Sequence, residues 1–403
     1  MNTPDPDSTV YRFADCELDL LQFELRRAGE VVHVEPQVLD VLGYLISHRD
    51  RLVAKTELLD AVWGDRFVSE SALTSRLKEA RRAVGDDGQR QEVIATVHGR
   101  GYRFVAAVEE TAGPTPSAPA ASTPIPQDIR YCVSADGACV AYATAGSGTP
   151  LVKAANWLTH LELEWDSPIW AHWLHAFADR HQLVRYDERG CGMSDWDVDD
   201  FSFDAWVADL ELVVDAAGVE RFPLLGVSQG GAVAIAYAVR HPERVSHLIL
   251  AGAYARGRMV RADSDDERDD AALDLQAARV GWRRDDDAFR VAFANQFLPD
   301  GSRELWDSFI ELQRNTTSVA NFVRFLEIFA HIDVADVASR VACPTLVIHS
   351  RGDSRVPQSQ ARELASLIPD SRLVMLNSRN HILTADEPAW GVFLDEIERF
   401  LGE

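Results

Sequence analysis

The spacing of apolar positions changes several times along this chain. Between residues 10 and 34 apolar and polar positions alternate in short runs, at 10–13, 16–20, 24–27 and 31–34, with Ala28-Gly29-Glu30 as a turn. A period of two predicts a small antiparallel sheet. From Pro36 the spacing lengthens. Val38, Leu39, Val41, Leu42, Leu45 and Ile46 recur at helical intervals, and proline suits the first helical position. A second helix is expected at 55–63, ended by Gly64, and a third from a Ser69 cap to about Val84, ended by Gly85. Alternation returns at 93–97 and 102–105, on either side of His98-Gly99-Arg100-Gly101, and predicts a hairpin.

Residues 109–127 follow neither period. Prolines at 114, 116, 119, 124 and 126 among Ala, Ser and Thr bury no core and favour extended chain. This stretch is read as a linker between a domain at 10–108 and another at 128–403. In the second domain six short apolar runs, at 151–154, 183–186, 222–225, 245–250, 345–348 and 373–376, are separated by helical segments. Alternating strand and helix predicts a mostly parallel sheet covered by helices on both faces. The expected fold class is therefore an α+β module followed by an α/β domain. A helical insert at about 254–341 interrupts the alternation. It is rich in aromatics: Trp282, Phe289, Phe293, Phe297, Trp306, Phe309, Phe322, Phe325 and Phe329. Within it, the acidic stretch 263–270 reads as a solvated loop.

Composition narrows the class. Apolar residues make up 46% and charged residues 26%, the balance of a soluble globular protein. The start, Met1-Asn2-Thr3-Pro4-Asp5-Pro6-Asp7, has no basic or apolar region of the signal-peptide kind. The most apolar stretch, 223–239, is interrupted by Ser228-Gln229-Gly230-Gly231 and is a poor membrane span. Five cysteines without a C-x-x-C pair are expected to be free thiols in a reducing cytoplasm, with no metal site and no cofactor. Net charge is −24, which argues against polyanion binding by the whole chain. The acidity is uneven, however: residues 10–108 carry a net −2 and 128–403 a net −18. Locally, 66–82 holds Arg66, Arg76, Lys78, Arg81 and Arg82 against Glu70 and Glu79, a net of +3. That is where a nucleic-acid footprint is expected.

On the third helix Leu73, Leu77, Ala80 and Val84 share one face. Ser71, Thr74, Ser75, Lys78 and Arg82 occupy the opposite one, where a recognition helix meets the major groove. Strands, three helices and a basic-tipped hairpin describe a winged helix. Leu58-Leu59-Asp60-Ala61-Val62-Trp63-Gly64 and Thr96-Val97-His98-Gly99-Arg100-Gly101-Tyr102-Arg103-Phe104 resemble the OmpR/PhoB-type DNA-binding domain over essentially all of 10–108. The resemblance implies a double-stranded promoter as partner, with Arg100 at the wing tip, a homodimer on DNA and RNA polymerase as a candidate partner. Only nine residues precede Val10, so the similarity is to the one-component branch, without a receiver domain.

Ser228 lies in Gly226-Val227-Ser228-Gln229-Gly230, directly after the apolar run 222–225 and before an Ala-rich segment. G-x-S-x-G between strand and helix is a nucleophile elbow. A nucleophilic serine needs a base, and the base needs an orienting acid. Asp353 follows the run 345–348, and His381 follows 373–376, each just past a strand end and in the chain order Ser, acid, His. These motifs, with Gly352–Pro357, Asn380–Pro388 and Asp187-Glu188-Arg189-Gly190-Cys191-Gly192-Met193-Ser194, resemble the α/β-hydrolases of the Ser-Asp-His esterase, lactonase and C–C-bond hydrolase group over 128–403. The resemblance implies catalytic roles for Ser228, Asp353 and His381. It also implies an oxyanion hole from the main-chain N–H groups of Gln229 and Trp157, although Ala155-Asn156-Trp157 stands where most members carry His-Gly. The insert at 254–341 then corresponds to the family's cap, and some of its aromatics should line an apolar pocket over Ser228.

The expected function is a one-component DNA-binding regulator whose hydrolase domain senses, and can hydrolyse, a small ester, lactone or related acyl compound. Two alternatives stay open on sequence alone. One is a serine esterase merely tethered to a DNA-binding module. The other is a hydrolase fold that binds a ligand without turnover.

Overall fold

The structure is a computed structural model. It describes residues 9–19, 24–32, 34, 36–63, 70–97, 100–112, 125–284 and 287–402. The chain forms two compact units, Met1–Thr123 and Pro124–Glu403.

In the first unit, β1 (Thr9–Phe13), β2 (Cys16–Asp19), β3 (Glu24–Arg27) and β4 (Glu30–Val31) form an antiparallel meander. Then come α1 (Pro36–Ser47), β5 (Val53–Ala54), α2 (Lys55–Trp63) and α3 (Glu70–Ala83). The hairpin β6 (Ile94–Val97) and β7 (Gly101–Phe104) joins β5 in a three-stranded sheet of order β5-β7-β6. The expected apolar faces are buried: Val41, Leu42, Leu45 and Ile46 of α1 pack with Leu73, Leu77, Ala80 and Val84, and Phe13 meets Phe104 edge-on. Val31 is exposed and the fourth strand ends there, shorter than the run 31–34. A further strand, β8 (Glu109–Ala112), pairs antiparallel with the outer side of β1. It takes the first four residues of the stretch read as linker. Edge pairing uses main-chain groups, so Glu-Glu-Thr-Ala needed no apolar alternation to join the sheet. Residues 113–124, the Ser69 cap and the His98-Gly99 pair lie outside the described residues.

The second unit begins with an antiparallel hairpin, β9 (Gln127–Val133) and β10 (Cys139–Ala145), which the six apolar runs did not include. The doubly wound part follows: β11 (Pro150–Lys153), α4 (Ala171–Ala178), β12 (Gln182–Tyr186), α5 (Phe203–Ala216), β13 (Phe222–Val227), α6 (Gly230–Arg240) and β14 (Val245–Ala251). The insert contributes α7 (Asp265–Gly281), α8 (Asp287–Phe297), α9 (Arg303–Thr316), α10 (Val319–His331) and the short α11 (Ala335–Ala338). The chain closes with β15 (Thr345–Ser350), α12 (Gln358–Leu367), β16 (Ser371–Leu376) and α13 (Pro388–Leu401). All eight strands form one sheet of order β16-β15-β14-β13-β11-β12-β10-β9, and its six strands from β11 onward run parallel. β13, wholly buried at the centre, is why its sequence is an unbroken apolar run.

The acidic stretch 263–270 is not a loop throughout. Ser264 caps α7 through the Glu267 N–H, and Asp265, Asp266 and Glu267 fill its first turn. Acids there offset the positive end of the helix dipole. No helix among the described residues is long and apolar enough to cross a membrane.

Candidate active site and DNA-facing helix

Ser228 occupies the turn between β13 and α6 with φ of +53°, a left-handed conformation that side chains seldom adopt. The turn closes because its neighbours lack side chains. A Cβ on Gly226 would lie 2.6 Å from Gly231 Cα, and one on Gly230 would lie 2.5 Å from the Ala155 carbonyl oxygen. The Ser228 N–H donates to Ala251 O of the next strand at 2.9 Å, which anchors the bend to the sheet.

The structure brings Ser228, His381 and Asp353 together. His381 Nε2 lies 3.0 Å from Ser228 Oγ, and His381 Nδ1 lies 2.7 Å from Asp353 Oδ2. The residues are 153 and 28 positions apart in the chain, so only the sheet aligns them. The Arg355 and Val356 N–H groups donate to Asp353 Oδ1 at 2.8 and 2.9 Å. Burial works against the Asp353 charge, yet His381, His349 and the Val356 N–H hold its carboxyl below the usual aspartate range.

His349 escaped the sequence reading. It is the penultimate residue of β15, fully buried, with Nε2 donating to Val356 O at 2.9 Å and 3.5 Å from Asp353 Oδ2. Burial pushes its imidazole down, toward the neutral form. Its position four residues before Asp353 at a strand end was the only available signal.

The two expected oxyanion donors are adjacent but unequal. The Gln229 N–H sits at the start of α6, where helix N–H groups have no partner within the helix. The Trp157 N–H instead donates to Oε1 of the Gln229 side chain at 2.9 Å. The other end of that amide, Nε2, is buried without a partner among the described residues. The Trp157 indole N–H donates to Gln313 Oε1 of α9 at 3.0 Å, which ties the loop to the cap.

Ser228 and Gln229 open on a cavity of about 70 Å³. Of the cap aromatics, Phe289, Phe293, Phe297 and Phe329 line it with Trp157. Trp282 stacks on Phe322 at 3.8 Å and Phe325 on Trp206 at 5.7 Å, as core packing. A wider outer pocket of about 630 Å³ shares Arg258, Arg261, Ala271 and Arg355 with the inner cavity.

The Asp187–Ser194 turn braces the site. Arg189 grips buried Asp209 with two hydrogen bonds of 2.7 and 2.6 Å, and Asp187 Oδ2 accepts the Leu161 and Met193 N–H groups. Cys191 is buried there, and burial beside Asp187 and Glu188 holds its thiol well above the usual range. All five cysteines are free.

In the first unit the outward face of α3 is as expected: Thr74, Ser75, Lys78 and Arg82 are exposed, and Arg100 is exposed at the wing. Ser71 lies in the first turn of α3. Arg81 departs from the basic patch. It is buried, and its guanidinium donates to Ile94 O at 3.1 and 2.7 Å and to Thr96 Oγ1 at 2.8 Å.

Residues 161–388 match the family model described as alpha/beta hydrolase fold. The chain belongs to that family. Residues 18–104 match the model described as transcriptional regulatory protein, C terminal, so a winged-helix DNA-binding domain of the OmpR/PhoB type is fused to the hydrolase domain. A pyrrolizixenacetamide deacetylase of Xenorhabdus hominickii is 28% identical over 263 residues, 64% of this chain and 92% of the relative. Among solved structures, the esterase RhEst1 from Rhodococcus sp. ECU1013 is 25% identical with a TM-score of 0.55, covering 68% of this chain and 98% of that one. A hydrolase from Pseudomonas aeruginosa PA01 is 24% identical with a TM-score of 0.57, covering 68% and 99%.

Proposed function

We propose that the protein is a one-component transcriptional regulator whose hydrolase domain senses and hydrolyses a small ester, lactone or related acyl compound. The observation that carries the chemistry is the relay Ser228–His381–Asp353, with contacts of 3.0 and 2.7 Å. Ser228 Oγ attacks the acyl carbon while His381 Nε2 takes its proton. Asp353 holds the Nδ1–H tautomer and stabilises the imidazolium that forms. His381 then returns the proton to the leaving group, and water releases the acyl group by the same route. The developing oxyanion takes the Gln229 N–H and, once the Gln229 side chain has moved, the Trp157 N–H. The deacetylase and esterase named among the similar proteins support acyl chemistry. The exposed Thr74, Ser75, Lys78 and Arg82 of α3 and Arg100 of the wing, on a domain of DNA-binding type, support promoter binding, with Ser71 of the same helix as a further candidate contact.

A sensor requires that the pocket ligand bind the DNA-bound and DNA-free states with different affinity. The test uses Ser228→Ala, which retains uncleaved ligand. Operator affinity is measured at fixed salt with and without an acyl ester that wild type cleaves. A shift of about fivefold or more is expected, the lower end of common coupling energies. Equal affinity in both conditions rejects sensing and leaves a tethered esterase.

A further inference from the structure

The inner cavity holds an excess of positive charge that the relay does not use. Arg258, Arg261 and Arg355 line it beside Ser228, and Asp274 is its only lining carboxylate among the described residues. Arg258 pairs with Asp274, and Arg355 Nη1 lies 3.8 Å from the same group. Arg261 has no carboxylate within ion-pair distance among the described residues. It lies over the Tyr254 ring at 5.9 Å and reaches the Arg256 carbonyl at 3.4 Å. Three guanidiniums thus share one carboxylate. Other acids act on the cluster only through space: Asp270 on Arg258, and Asp353 and Glu363 on Arg261, while Glu363 pairs with Arg256 and Asp353 with His381.

This arrangement runs against the rest of the domain, which carries a net −18 over 128–403. It is also costly. Burial pushes all three guanidiniums below the usual arginine range, and for Arg258 and Arg261 the neighbouring arginines add to the effect. Partly buried positive charge in excess of its paired carboxylates marks a place where a ligand supplies the balance. The surroundings leave the donors presentable. Arg355 is held over the Phe297 and Phe293 rings at 5.1 and 5.3 Å, and one nitrogen donates to Gln296 Oε1 at 2.8 Å. Stacking uses the flat face of a guanidinium and leaves edge N–H groups for a planar oxyanion. Arg355 follows Asp353 by two residues, so one arginine of the cluster and the acid of the relay share the loop between β15 and α12.

We infer that the acyl compound taken by this site carries a carboxylate, bound by Arg258, Arg261 and Arg355 while its ester or lactone carbonyl meets Ser228. The inference rests on the hydrolase reading for the carbonyl but not for the anion, and the two are tested separately. Binding is measured by calorimetry on full-length Ser228→Ala with monomethyl adipate and dimethyl adipate, which differ in one negative charge. The half-ester should bind about tenfold tighter or more, the scale of hydrogen bonds to charged groups. Arg261→Gln in the same background should remove most of that preference, and Arg261→Lys should restore part of it. Equal affinities for the two esters, or binding of neither, overturn the inference. A phosphonate of equal length separates the two oxyanion chemistries, and tenfold tighter binding of the phosphonate overturns the carboxylate assignment. Turnover by wild type is read alongside. Failure to cleave either ester, with the half-ester preference intact in Ser228→Ala, defeats the hydrolase reading and leaves the anion site. Equal cleavage of both, with equal binding, does the reverse.

Discussion

The main-chain N–H of Trp157 is held at 2.9 Å by Oε1 of Gln229, the residue next to the nucleophile. One proposed oxyanion donor is therefore occupied by the side chain of the residue whose own N–H is the other. A substrate oxygen must displace that amide before both donors can serve it. The contact is worth the net value of one buried hydrogen bond, about 0.5–1.5 kcal/mol. Gln229→Ala should thus raise kcat/KM on a small ester by about two- to tenfold. A fall in kcat with KM unchanged would show instead that the amide holds the loop in its productive form.

The relay makes a sharper demand. Ser228→Ala and His381→Ala should each lower kcat by roughly 10³-fold or more, and the double variant should be little worse than either, because the groups act as a unit. Steady-state rates on a short acyl ester decide it. Wild-type rates in Ser228→Ala, or multiplicative losses in the double variant, contradict the assignment.

Ser228, Asp353 and His381 were legible in the sequence because each sits just past an apolar strand in a fixed order. What surrounds them was not. His349 lies near the end of a buried strand like any core residue, and only the bend of the chain after β15 turns its ring toward Asp353, four residues on. The Gln229–Trp157 contact joins positions 72 apart, and nothing in either local sequence marks it. The same limit explains β9. Its pattern of half-buried and exposed positions belongs to an edge strand, with Tyr131 and Val133 exposed, and such a run lacks the continuous apolar signature of buried parallel strands. Arg81 was counted with the basic patch because charge in a sequence reads as surface. Its depth follows from tertiary packing alone.

Asp86 gives a pH-dependent test in the first unit. Burial works against its charge, but the N–H groups of Ile94, Val93, Asp87 and Glu92 hold its carboxyl below the usual range. A folded pKa below the unfolded one contributes stability that is complete above the unfolded value, about 3.9, and is lost as pH falls through the folded value. Amide exchange at Val93 and Ile94 should therefore be faster in Asp86→Asn than in wild type at pH 7. The difference should narrow as pH falls below the unfolded value and through the lower folded one. Comparing the two proteins at each pH cancels the intrinsic exchange rate. A gap that keeps its size down to the lowest pH at which the protein stays folded would assign the effect to packing rather than to charge.

Three basic residues of one helix should behave as two kinds. Lys78 and Arg82 are exposed on the outward face of α3, whereas Arg81, between them in the chain, turns inward to Ile94 and Thr96. If the exposed pair contacts phosphate, Lys78→Ala and Arg82→Ala should each weaken operator binding. Each should also reduce the slope of log affinity against log salt by about one. Stability should stay within about 0.5 kcal/mol of wild type in both. Arg81→Ala leaves the buried Ile94 carbonyl without its partner, at a cost of about 1–3 kcal/mol, with the salt slope unchanged for protein that remains folded. Salt titrations of operator binding and urea unfolding of the three variants separate the classes. An unchanged slope in both Lys78→Ala and Arg82→Ala would remove this face from the DNA contact, and a lowered slope in folded Arg81→Ala would mean that the buried guanidinium reorients to meet the duplex.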